Sequence, residues 1–135
     1  MESAFLNNVV GELAAAAREE QLDPYGDLIT KYASQYGEPI VGRTRAVFIR
    51  DDEVIKIPFC LEGLLGNWDE ANHTDPGIPL ARCRLESEDD CKVLIMERVE
   101  PLLRSDGEQL PEWTDWVDGQ QVGYTLDGRL VAFDL

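Results

Sequence analysis

His73 is the only histidine in the 135 residues, so a serine or cysteine triad would have to be built around it, and a multi-histidine metal site is excluded. It stands in Asn72-His73-Thr74-Asp75-Pro76-Gly77, a polar run with turn composition where a loop residue is expected. Cys60, Cys83 and Cys91 are odd in number and form no Cys-x-x-Cys. They indicate neither a disulfide framework nor a structural zinc site, and reduced thiols are expected. Lysine chemistry is limited to Lys31, Lys56 and Lys92. Carboxylates dominate, with 27 acidic side chains against 12 basic ones and a formal charge of −15. Residues 1–68 hold 11 acids and 6 bases, a net of −5, and residues 69–135 hold 16 acids and 6 bases, a net of −10. Without a concentrated basic patch such a chain is repelled by phosphate backbones, so direct nucleic-acid binding is disfavoured. The acid excess has two readings. It keeps the chain soluble, or it forms a surface that occupies another protein's basic groove, with Glu86, Glu88, Asp89 and Asp90 as its densest part. Trp113 and Trp116, three apart, are either core residues or an exposed interaction anchor.

The length fits one domain, and 44% hydrophobic with 29% charged residues supplies enough apolar material for a core. The longest apolar runs, Leu13–Ala17 and Val93–Met96, are far short of the ~18 residues of a membrane span. Glu2 and Glu12 interrupt the stretch where a signal peptide would be apolar, so a cytoplasmic protein is expected. Phe5, Leu6, Val9, Val10 and Leu13 recur at helical spacing, which predicts a helix from Ser3, its cap, to Gln21. A second helix is expected from an Asp23 cap and Pro24 to Tyr36, stopped by Gly37. These form a helical hairpin over residues 1–37, packed on a domain of residues 38–135. There the pattern turns to short β-branched runs. Val47–Arg50 and Glu53–Pro58 flank Asp51-Asp52 as a hairpin, with Lys56 and Val54 on one face and Ile55 and Ile57 on the other. A glycine-weakened helix over Leu61–Glu70 follows, then strands at Ile78–Leu85 and Val93–Arg98 around the acidic turn. The stretch Glu100–Pro111, with Ser105-Asp106-Gly107, reads as a loop. Gln121–Leu126 and Arg129–Asp134 flank Asp127-Gly128, the signature of a type I′ hairpin. The fold class is α+β, an antiparallel sheet with helices.

This order of elements resembles the small lobe and hinge of the protein-kinase-like fold, which includes aminoglycoside phosphotransferases, and particularly the small kinase-like proteins encoded by bacteriophages. The resemblance covers about residues 42–135. Val54-Ile55-Lys56-Ile57 resembles the third strand with its nucleotide-contacting lysine. Glu70, within Gly63-x-x-x-Asn67-x-x-Glu70, is similar to the helix glutamate that pairs with it. The run Val93–Val99 resembles the strand and hinge where adenine bonds, and Asp134 stands where the magnesium-binding aspartate would. The resemblance implies ATP with magnesium as cofactor, held by Lys56, Glu70 and Asp134, because an ammonium grips phosphates only if a carboxylate directs it. Outside the resemblance, Lys56 reads as an edge-strand lysine that wards off aggregation, Glu70 as a solvated helix residue, and Asp134 as a solvated end.

The departures bear on function. Val41-Gly42-Arg43-Thr44-Arg45-Ala46-Val47 offers one glycine and two arginines where a glycine-rich loop would cradle phosphate. No His-Arg-Asp loop precedes the last hairpin; Asp115 or Asp118 would have to serve as base, with Gln120 in place of a magnesium-binding asparagine. These departures and the charge lead to one expectation: a catalytically inactive, phage-derived binding protein that inhibits a host nucleic-acid-dependent system, such as an anti-CRISPR or anti-restriction protein. Its partner would be a protein with a basic surface, met by Glu86, Glu88, Asp89, Asp90, Trp113 and Trp116, and no cofactor would be needed. The alternatives are a nucleotide-using enzyme or switch, and a structural or accessory phage protein.

Overall fold

The structure is a computed structural model that describes residues 2–102, 110–117 and 121–134. Asp118, Gln120 and Ser105-Asp106-Gly107 lie outside the described residues, and no side chain is described at Ser3, Phe5 or Leu6. The fold is α+β. Helix α1 (Glu2–Glu19) and α2 (Asp23–Tyr36) are followed by β1 (Ile40–Val41), β2 (Arg45–Arg50), β3 (Glu53–Pro58), α3 (Leu61–Asn72), β4 (Cys83–Glu88) and β5 (Cys91–Glu97). Then come β6 (Val99–Pro101), a 3-10 turn (Glu112–Trp116), β7 (Val122–Thr125) and β8 (Leu130–Ala132). The strands form an antiparallel five-stranded sheet, β1-β2-β3-β5-β4, and a three-stranded one, β6-β7-β8. No described helix is long and apolar enough to cross a membrane.

The alternation in β3 divides the core in two. Ile55 and Ile57 join Phe48, Val93 and Ile95 beneath Val10, Leu13, Leu28, Ile29 and Tyr32 of the helical hairpin. Val54 faces the other way, with Ala81, Met96, Val131 and Phe133. Both faces of β3 are therefore covered, and it lies between β2 and β5. Lys56 is no edge-strand lysine: its position is interior, and it is 2% exposed.

Several local expectations need correction. Leu22, not Asp23, precedes the first turn of α2, and no side chain caps it; Asp23 instead places its charge in that turn, where the helix dipole favours an anion. Gly37 ends α2 at φ 88°, a conformation that glycine adopts without strain. Ile78–Arg82 forms no strand of the five-stranded sheet. It is bound instead to β8, with Ala81 N–H donating to Ala132 O at 2.9 Å and Ala132 N–H to Pro79 O at 2.8 Å. Glu100 and Pro101, read as the start of a loop, belong with Val99 to a strand because β7 offers it a partner. Glu86 and Glu88 belong to β4, and the turn is Asp89-Asp90 alone, with φ 50° and 64°. This positive-φ pair is where a mirror-image two-residue turn occurs, and aspartate tolerates it. The closing hairpin is not of that kind: Gly128 has φ 89° but Asp127 does not share it. Gly128 N–H donates to Thr125 O at 3.0 Å and Thr125 N–H to Arg129 O at 2.8 Å, a three-residue loop with glycine in the left-handed position.

The helical hairpin is tied to the acidic turn. Tyr32 Oη donates to Glu88 (2.6 and 2.8 Å) and accepts from Arg50 Nη1 at 2.9 Å, while Lys31 Nζ donates to Asp89 at 2.9 Å. Burial, then the bond to Glu88, raises the Tyr32 phenol. Burial likewise pushes the Cys91 thiol, and the Cys83 thiol beside Glu70, up to about 11. An acid whose pKa rises on folding holds its proton more tightly in the native state. Its contribution is full below the ordinary thiol value of 9.0 and is lost as pH climbs to about 11. Thermal melts are expected to be level from neutral pH up to about pH 9 and to fall steadily from there to about pH 11. A midpoint that stays constant across that range would contradict the burial of these groups.

Candidate functional site

Lys56, Glu70 and Asp134 meet, although 14 and 78 residues separate the lysine from its two partners. Each is delivered by a different element. β3 presents Lys56 on the Val54 face. α3 starts after the extended Cys60 and carries Glu70 three turns on. The closing hairpin brings Asp134 across, held by Phe133 N–H donating to Gln121 O (2.9 Å) and Gln121 Nε2 donating to Asp134 O (2.7 Å). Asp134 has φ 58°, the left-handed region that aspartate enters more readily than most residues.

Lys56 Nζ donates to Glu70 Oε1 at 2.8 Å and to Asp134 Oδ1. A buried ammonium with two carboxylate acceptors satisfies the rule that buried charges are paired. Glu70 is shared, for its Oε2 accepts from Arg45 Nη1. That guanidinium also donates to Asn67 Oδ1 at 2.9 Å, and Asn67 Nδ2 donates to Lys56 O at 3.0 Å. Asn67 is 1% exposed. Asn67 and Glu70 lie three apart on one face of α3 and together orient both cations. Sequence reasoning missed Arg45 and Asn67 as members of this cluster. The signal was present in the motif around Gly63, Asn67 and Glu70, and in Arg45 lying on the same strand face as Val47, which pairs with Lys56.

The cluster stands between two cavities. One, about 460 Å³, opens between β1–β2 and β6, with Arg45, Val47, Lys56, Arg98, Phe133 and Asp134 in its wall. The other, about 420 Å³, lies under α3 and includes Glu70, His73, Cys83, Met96 and Asp134. Both are large enough for a small-molecule ligand. At the C-terminal end of β5, the Glu97 and Arg98 amides donate to Arg82 O and Asp52 O, both at 3.0 Å. Asp115 is exposed on the 3-10 turn and lines neither cavity.

The acidic residues expected to meet a partner are largely engaged internally. Glu86 accepts from Arg84 at 3.2 Å, Glu88 from Tyr32, and Asp89 from Lys31. Asp90 is exposed. Trp116 is 60% exposed and Trp113 half-buried, while α3 leaves Leu61, Leu65 and Trp68 in solvent along one face. Cys60, Cys83 and Cys91 are free thiols.

No protein-family model matches this chain, and no curated protein and no solved structure matches it.

Proposed function

We propose that the chain is a kinase-like module whose larger cleft binds a magnesium-complexed nucleotide by its phosphates. The observation that carries this reading is the meeting of Lys56, Glu70 and Asp134, with Lys56 and Asp134 lining a cavity of about 460 Å³. A directed ammonium and a carboxylate beside it are the parts that phosphate and its cation require. The residues present fit that ligand. Lys56 and Arg45 supply positive charge, and Asp134, whose side chain is 44% exposed, offers an oxygen to magnesium, which typically takes one or two carboxylates beside phosphate oxygens. Bound there, the metal would neutralise phosphate charge. The reading concerns binding, since neither cavity wall includes Asp115.

The test is calorimetric titration with magnesium and ATP. Binding is expected in the native sequence and is weakened about 100-fold by Lys56→Met, the scale of losing charge-assisted bonds. Asp134→Asn, which leaves the lysine in place, is expected to remove the magnesium dependence. No heat at millimolar nucleotide would overturn the reading. The protein-partner reading would then lead, supported by the solvent-facing Leu61, Leu65 and Trp68 and by Trp116. It stands second because three of the four acids it relies on already hold internal partners.

A further inference from the structure

Arg45 is held as firmly as Lys56 but is not used up. Its Nη1 donates to both Asn67 Oδ1 (2.9 Å) and Glu70 Oε2, whereas among the described residues its Nη2 and Nε make no hydrogen bond. The side chain is 21% exposed and lines the cavity of about 460 Å³ that Lys56 also lines. The two cations sit on opposite oxygens of one carboxylate, with Lys56 on Oε1 and Arg45 on Oε2. They are therefore fixed side by side, and α3 sets their separation. The β1–β2 segment that roofs this cavity has a single glycine, Gly42, beside Arg43, Thr44 and Arg45, so backbone amides freed by glycine are not what it offers. It offers a guanidinium fork, the geometry suited to phosphate.

We infer that Arg45 and Lys56 form a two-cation grip for a polyphosphate chain, with Arg45 taking a phosphoryl group next to the one held by Lys56. The inference rests on the nucleotide-cleft reading and sharpens it, since a ligand that engages both cations needs charge on neighbouring groups. A di- or triphosphate has that, and a monophosphate does not.

The experiment is calorimetry on the full chain with inorganic tripolyphosphate, ATP and AMP, each with magnesium. Arg45→Gln is expected to weaken tripolyphosphate and ATP about 10- to 100-fold, as lost charge-assisted bonds do, and AMP by less than about threefold. Loss with both probes supports the grip; tighter tripolyphosphate points to free polyphosphate as the ligand, and tighter ATP to a nucleotide. Arg45→Lys keeps the charge on Glu70 but removes the fork. It is expected to lie between Arg45→Gln and the native chain, and it serves as the test if Arg45→Gln melts too early to titrate. Native-like ATP affinity in both Arg45 variants, with Lys56→Met inactive, would overturn the grip and leave the cleft reading standing. Binding unaffected by Lys56→Met as well would overturn both.

Discussion

Glu70→Gln is expected to cost about 3–5 kcal/mol of stability, the range for removing one partner of a buried ion pair. Lys56→Met is expected to cost less, about 1–2 kcal/mol, close to a volume-conserving replacement. The ordering follows from who is left behind. Without the Glu70 carboxylate, Lys56 keeps only Asp134, and Arg45 keeps only the Asn67 carbonyl. A glutamine in that place has one acceptor oxygen for two cations and points its own N–H donors at one of them. Without Lys56, Glu70 still holds Arg45, the half-exposed Asp134 can return to water, and a methionine fills the space of the lysine stem. Urea unfolding of the three chains at neutral pH measures this. If Lys56→Met proves costlier than Glu70→Gln, then Asp134 rather than Glu70 is the main partner of the lysine, and α3 does not organise the site.

Much of this was legible beforehand where a residue's own neighbours decide its conformation. The period-3.6 run of α1, Gly37 at the end of α2, and the β-branched alternation that put Lys56 opposite Ile55 and Ile57 all depend on local chemistry. The resemblance grouped Lys56, Glu70 and Asp134 as one site, but that Lys56 and Glu70 touch could not be read from the sequence. What was not legible depends on distant partners. Ile78–Arg82 has strand-like composition, yet β8 takes its backbone bonds. Val99–Pro101 is a strand only because β7 lies beside it. The burial of β3 follows from sheet order, which no single strand encodes, so an interior lysine and an edge lysine look alike in sequence. Arg45 was read only as one of two arginines in a segment with too few glycines to cradle phosphate. Only its contacts to Asn67 and Glu70 give it a fixed direction.

The same distinction between local propensity and distant contact gives opposite signs to one substitution at two positions of α3. Gly66→Ala is expected to stabilise the fold by about 0.5–1 kcal/mol, since alanine is the better helix former and a methyl there meets nothing within 4 Å. Gly63→Ala, three residues earlier, gains the same propensity but is expected to lose more. A methyl on Gly63 would overlap the Thr44 carbonyl oxygen and come within 2.8 Å of Pro58 Cβ. Neither is the free end of a flexible side chain, so α3 itself has to shift. Overpacking of this kind costs about 1–3 kcal/mol, which outweighs the propensity gain of about 0.5–1 kcal/mol and leaves a net loss of up to about 2.5 kcal/mol. The contact also has a functional consequence. Thr44 lies beside Arg45, and Pro58 is two residues from Lys56, so the absence of a side chain at Gly63 lets α3 sit close enough for Glu70 to reach both cations. Gly63→Ala is therefore expected to weaken magnesium-ATP binding along with the melting temperature, whereas Gly66→Ala raises the melting temperature and leaves binding unchanged. If Gly63→Ala matched Gly66→Ala in both measurements, the close seating of α3 against Thr44 and β3 would be wrong, and with it the account of how Glu70 is aimed.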